Sequence, residues 1–154
     1  MDPLAETEIS ALDEALDDEY RAWSTYDQVI ADFGDVPPFS NIRRAEARHI
    51  EALCALFGRY GLPVPLNPWP GKVERFPSPQ AACEAGVAAE IANGAMYERL
   101  LGASQRPDIL AVLRNLQQAS QQRHLAAFQR CAQASAGGGG GRGAKRHRGG
   151  RGRA

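Results

Sequence analysis

Four stretches of this chain repeat apolar residues every three or four positions, and each stripe is broken by an ionisable or amide side chain. That combination constrains the fold more than any other feature. The period demands helices, and a carboxylate on a helix's buried face is costly unless it is paired or bound to a metal. The first helix is expected from about Ala5 to Phe33, with the stripe Ile9, Leu12, Leu16, Glu19, Trp23, Tyr26, Ile30 and Phe33. Gly34-Asp35-Val36-Pro37-Pro38 ends it, because proline cannot continue a helix. The second starts at Ser40 as N-cap and runs to about Tyr60, stopping at Gly61; its stripe includes Ile42, Glu46, His49, Leu53 and Leu56.

Ser78-Pro79 supplies a cap followed by proline at the first helical position. The third helix is expected from there to about Leu101, with Cys83, Val87, Glu90, Gly94 and Tyr97 on its stripe. The fourth runs from about Pro107 to Ala134, with Leu110, Leu113, Gln117, Gln121, His124, Phe128 and Cys131. Between the second and third, residues 61–80 hold six prolines, an extended connector long enough to cross the length of a bundle.

The polar interruptions form a partial repeat. Glu46 and His49 are three residues apart and lie over one helical face, and Gln121 and His124 repeat that spacing. Glu19 is followed seven residues later by Tyr26, and Glu90 likewise by Tyr97, about 10 Å along the same face. Two helix pairs with matching polar positions can fold as pseudo-twofold halves whose polar stripes meet near the middle of a bundle. One Glu from each of two helices with Glu-x-x-His from the others is the ligand pattern of di-iron carboxylate bundles. Carboxylates are hard and can bridge two ions, while imidazole suits iron, manganese or zinc.

The sequence resembles the ferritin-like superfamily, rubrerythrin-type proteins in particular, and is most similar to a bacterial ferritin-like domain family of unknown function. The resemblance is carried by Glu19 through Tyr26, by Phe39-Ser-Asn-Ile with Glu46-x-x-His49, by Tyr60-Gly-Leu-Pro63, by Gly86 with Glu90, and by Arg123-His124-Leu125 with Phe128. It implies an all-α, ferritin-like four-helix bundle with a long Pro-rich crossover between helices 2 and 3. It also implies a metal site of Glu19, Glu46, His49, Glu90 and His124. Iron is the expected metal, as a di-iron site, with manganese or zinc as alternatives. A di-iron oxidase or peroxidase acting on O2 or peroxide with an external reductant is the activity it suggests.

Two positions depart from the pattern. Gln121 stands where a second Glu-x-x-His would have its carboxylate, and Asn93 stands one turn from Glu90. Three carboxylates leave two ferrous ions under-neutralised, and a buried uncompensated charge is unfavourable. A weaker second site, a mononuclear site and a bundle without metal all follow as alternatives. Gln121 and Asn93 are candidates for weak ligands or for supporting residues behind the ligands, and Tyr26 and Tyr97 are core residues whose hydroxyls can hold ligating carboxylates.

Charge divides the chain in two. All 18 acids lie at or before Asp108, whereas residues 137–154 carry six bases and no acid, so the zero net charge conceals an acidic body and a basic tail. Residues 1–136 are expected to form the bundle and the glycine- and arginine-rich segment 137–154 to be disordered. Arg142 to Arg153 can bind nucleic acid phosphates by charge alone. The rival reading is therefore a metal-free helical interaction module whose tail binds nucleic acid. Cys54, Cys83 and Cys131 are far apart with no C-x-x-C, and are expected as buried free thiols in a reducing compartment. No apolar run is long enough for a transmembrane helix, and the acidic start does not read as a secretory signal. The expectation is cytoplasmic, with no membrane partner; a homodimer is compatible with the sequence.

Overall fold

Helix α1 (Glu6–Phe33) opens with the Ala5 backbone N–H donating to the Glu8 carboxylate at 2.9 Å, which closes the first turn. Its end at Gly34 takes a positive φ of 86°, a conformation that glycine adopts without a Cβ clash. Helix α2 (Phe39–Arg59) starts one residue before the expected cap. Pro38 occupies the cap position, its carbonyl accepts the Ile42 N–H at 3.0 Å, and no side chain caps the helix. Ser40 is therefore a helical residue, not the N-cap. Helix α3 (Pro79–Leu100) begins as the sequence implies, with the Ser78 hydroxyl accepting the Ala81 N–H at 3.1 Å. A computed structural model describes residues 2–141.

The fourth expected helix is one rod with an irregular middle. Helix α4 (Pro107–Gln118) passes through a π-helical stretch, Ala119–His124, directly into α5 (Leu125–Gly141). Helix α5 overruns the expected end near Ala134 and takes in Gly137–Gly141, which composition had assigned to the tail. No proline intervenes to end it. Residues 142–154, with the tail's bases, lie outside the described residues.

Among the described residues every regular element is helical, and the rods pack as a bundle. Helix α1 lies chiefly against α2, and α3 against α5. Pairings fix the directions. Asp27 meets Arg43 and Glu19 meets His49, so α1 and α2 are antiparallel. Glu19 meets Tyr97 and Tyr26 meets Glu90, so α1 and α3 are antiparallel as well. The proline-rich connector is pinned along α1 by polar contacts. The Tyr20 hydroxyl donates to the Pro65 carbonyl, Asn67 to Ser24, Trp69 to Asp17 and Arg75 to Asp32.

Two apolar cores fill the ends. One joins Leu12, Leu16, Leu53, Phe57, Leu100 and Leu113. The other is built on Tyr26, Phe39 and Phe128, whose ring centroids lie 5.3–5.8 Å apart in tilted contacts. Gly86 belongs to this second core because a Cβ there would sit 2.7 Å from the Phe128 ring. Cys83 on α3 and Cys131 on α5 are joined by a disulfide with Cα atoms 5.9 Å apart, which corrects the expectation of free thiols at both positions. Antiparallel packing of α3 and α5 brings together two cysteines 48 residues apart, a proximity with no local sequence signal. Cys54 is the free, half-buried cysteine.

Candidate metal centre

Between the two cores lies a layer of charge. Glu19 on α1, Glu46 on α2, Glu90 on α3 and His124 at the end of the π stretch are all less than 5% exposed, with His49 beside them. All five residues expected as ligands converge here. His49 Nδ1 is 2.9 Å from Glu19 Oε1 and 3.3 Å from Glu46 Oε1. His124 Nδ1 is 3.3 Å from Glu46 Oε1 and 3.6 Å from Glu90 Oε1. The two imidazoles stack at 5.5 Å with planes 18° apart. Glu46 is thus the central group, in reach of both rings, with Glu19 and Glu90 on either side.

The layer is close to twofold symmetric, and its tyrosines are exchanged. Each tyrosine lies seven residues from its own helix's glutamate, and its hydroxyl serves the glutamate of the facing helix. The Tyr97 hydroxyl donates to Glu19 Oε2 at 2.7 Å, and the Tyr26 hydroxyl to Glu90 Oε2 at 2.8 Å. Antiparallel packing of α1 on α3 produces the exchange, because the seven-residue offset on one helix is matched in reverse on the other. Burial, with the nearby carboxylates, pushes both phenols well above their ordinary range, so both hydroxyls keep their protons and donate.

The carboxylates differ in electrostatics. Burial would raise Glu19, but the hydrogen bond and charge of His49 and the Tyr97 hydroxyl outweigh it, and its pKa lies below the ordinary carboxylate value. Burial pushes Glu46 well above that value, with the negative charges of Glu19 and Glu90 adding to the effect. Asp18, half-buried at the edge of the layer, is pushed up to about 6, first by burial and then, against the Asn93 hydrogen bond, by Glu19 and Glu90. Asn93 donates to Asp18 Oδ2 at 2.6 Å and, at 3.5 Å, to Glu19 Oε2.

The π stretch changes the expected ligand set. A π turn bonds i to i+5, so residues three apart inside it no longer share a face as they do in an α-helix. Gln121 does not join the carboxylates and imidazoles. Its amide donates to the Glu90 backbone carbonyl at 2.7 Å and lies against Gly94, whose missing Cβ leaves the room. Ser120 takes the position facing the site, donating to Glu90 Oε1 at 2.7 Å. Of the two roles expected for Gln121, weak ligand or support behind the ligands, its contacts match the second: it holds the backbone beneath Glu90. Ser120 and Asp18 were missed as members of this layer. Ser120 had no signal, since an α-helical register points it elsewhere. Asp18 had one, its place beside Glu19 on a stripe edge.

The donor set suits a metal ion. Glu46, His49 and His124 each offer an atom, and these atoms all lie within 4.8 Å of one another. His124 Nδ1 is buried without a hydrogen-bond partner: the carboxylates approach it but neither is aligned to accept or donate. An orphaned buried nitrogen costs about 1–3 kcal/mol, and a metal–nitrogen bond would remove that cost. Hydrogen bonding within the layer alone does not.

No family model and no curated protein matches the sequence. Among solved structures, the chain is similar to the crystal structure of a hypothetical protein from Methanococcus jannaschii DSM 2661, at 23% identity and a TM-score of 0.77. The match covers 88% of this chain and 85% of the other. At that identity the likeness shows the fold alone: an all-helical bundle.

Proposed function

We propose that this chain is a ferritin-like metal-binding protein, and that Glu19, Glu46, His49, Glu90 and His124 hold iron or a related divalent metal. The observation that carries the reading is the unpartnered Nδ1 of His124, buried between the Glu46 and Glu90 carboxylates and stacked on a second imidazole. A buried imidazole nitrogen that no neighbour hydrogen-bonds is one that coordination to a metal ion would satisfy. Glu46, His49 and His124 fit one ion most completely. Glu19 and Glu90, each braced by a tyrosine, extend the set toward a second. With Gln121 withdrawn, that second position holds fewer charges than a four-carboxylate site, and we assign it the weaker affinity. Antiparallel pairing of α1 with both α2 and α3 makes α2 parallel to α3. The proline-rich segment then serves as the long crossover of the ferritin-like topology.

Bound iron would supply the electrons for reducing O2 or peroxide, with an external reductant restoring them. The chain's own contribution is positional. Tyr97 and Tyr26 hold Glu19 and Glu90 by one oxygen each and leave the other oxygen toward the imidazoles. Ser120 and Gln121 fix Glu90 through its carboxylate and its backbone. Burial and the charges of Glu19 and Glu90 favour the protonated form of Glu46, so a metal ion competes with a proton there.

The test is metal content after loading the purified chain with ferrous iron under anaerobic conditions. The expected result is at least one ion per chain, lost in Glu46→Ala with His49→Ala. A content below about 0.2 ions per chain, unchanged by that double substitution, refutes the reading.

A further inference from the structure

A slot of about 190 Å³ lies between α1 and α3 on the far side of Glu90 and Tyr26, with Glu74 and Phe76 of the connector at its edge. Small and apolar residues make up just over half of its walls. Ala22 and Val29 face Ala85, Gly86 and Ala89, with Phe39 at one end. The small residues on α3 keep it open, since larger ones would fill the space between the helices. Its charged and amide groups are Asp18, Glu90, Asn93, Arg21 and Glu74, and Thr25 and Tyr26 add hydroxyl-bearing side chains. Arg21 is drawn away over the Trp69 ring, 5.4 Å from its centroid. Three acids against one base set the sign of the field.

We propose that this slot binds a small molecule with an apolar body and a cationic or hydrogen-bond-donating head, the head seated on Asp18. The volume is somewhat larger than the roughly 150 Å³ apolar cavity that accommodates a benzene ring. A single ring or short alkyl chain with one polar atom therefore fits. Asp18 takes Asn93 on Oδ2 and has no cation within salt-bridge distance among the described residues, so it can accept an ammonium or hydroxyl donor. A carboxylate or phosphate head would meet Asp18, Glu74 and Glu90 and be repelled. The proposal stands on the slot's own shape and charge and does not rest on a bound metal.

Benzylamine is the probe, titrated calorimetrically into the full chain after metal has been stripped with a chelator. Saturable binding is expected with a Kd of about 1 mM or tighter, the range for a ligand of this size. Benzoate, with the same ring and the opposite charge, is expected to bind at least tenfold more weakly. Ala89→Trp and Ala92→Trp place a bulky ring at the slot from exposed positions on α3, where the fold has room for it. Each is expected to weaken benzylamine binding tenfold or more while the thermal melt keeps its shape. No saturable binding up to about 10 mM, far above that expected Kd, overturns the proposal. So does benzoate binding as tightly as benzylamine, or wild-type affinity in both folded variants. Iron uptake by the same preparation is read separately, so failure of the slot and failure of the metal site are distinguishable.

Discussion

Replacing Glu46 by Gln separates the stability of the bundle from its proposed function. In the metal-free protein, burial and the charges of Glu19 and Glu90 hold the Glu46 pKa well above its ordinary value of 4.5. A carboxyl whose folded pKa is raised keeps its proton where the unfolded chain has lost it. Its contribution to stability therefore falls as pH rises above about 4.5, the unfolded value, and levels off above the folded one. Within that window the slope reaches about 1.4 kcal/mol per pH unit for one proton. Gln has the shape of the protonated acid and does not titrate, so Glu46→Gln removes the slope. Urea unfolding of chelator-treated protein at pH 5, 6 and 7 measures it. The variant is expected to gain on the wild type with each step in pH, by about 1 kcal/mol or more in total, while losing metal uptake. A difference that stays flat across the series, or that grows in favour of the wild type, refutes the claim that Glu46 is destabilised by its neighbours.

Other predictions follow from single contacts. Tyr97→Phe removes the hydroxyl from buried Glu19 and is expected to cost about 1.5–3 kcal/mol by chemical denaturation at pH 7. Its effect shrinks as pH falls below about 4.5, because the stability from the lowered pKa of Glu19 is full above that value and is lost as pH falls through the folded pKa. Gly94→Ala forces Gln121 off the Glu90 backbone, for a loss of about 1–3 kcal/mol in thermal or urea unfolding. Cys83→Ser with Cys131→Ser removes a link between residues 48 apart, for about 4 kcal/mol on the loop-closure scale. Mass analysis of the unreduced chain should find it 2 Da lighter than the reduced one; equal masses would contradict the bond.

The helices were legible because their signals are local. Ser78-Pro79, the glycine after Phe33 and the apolar stripes act within a few residues, and α1 and α3 begin and end within one residue of expectation. The five ligand candidates were legible for the same reason: each is an acid or imidazole on a stripe that is otherwise apolar. What the sequence concealed depends on partners distant in the chain. The tyrosine exchange needs the antiparallel contact of α1 with α3. The π stretch leaves no mark in the residue pattern, and it alone decides that Ser120 rather than Gln121 faces Glu90. The disulfide is likewise a product of helix packing. Ser40 misled because a good capping residue is here the second residue of a helix whose cap position Pro38 already holds.

The central claim is that the polar layer holds a metal, and anomalous scattering tests it at atomic scale. Crystals of the iron-loaded chain, with data collected at the iron absorption edge, should show an anomalous peak among Glu46, His49 and His124. A second, weaker peak should lie toward Glu19 or Glu90. An iron-loaded crystal with no anomalous density in this layer, and with His124 Nδ1 still unpartnered, would contradict the account.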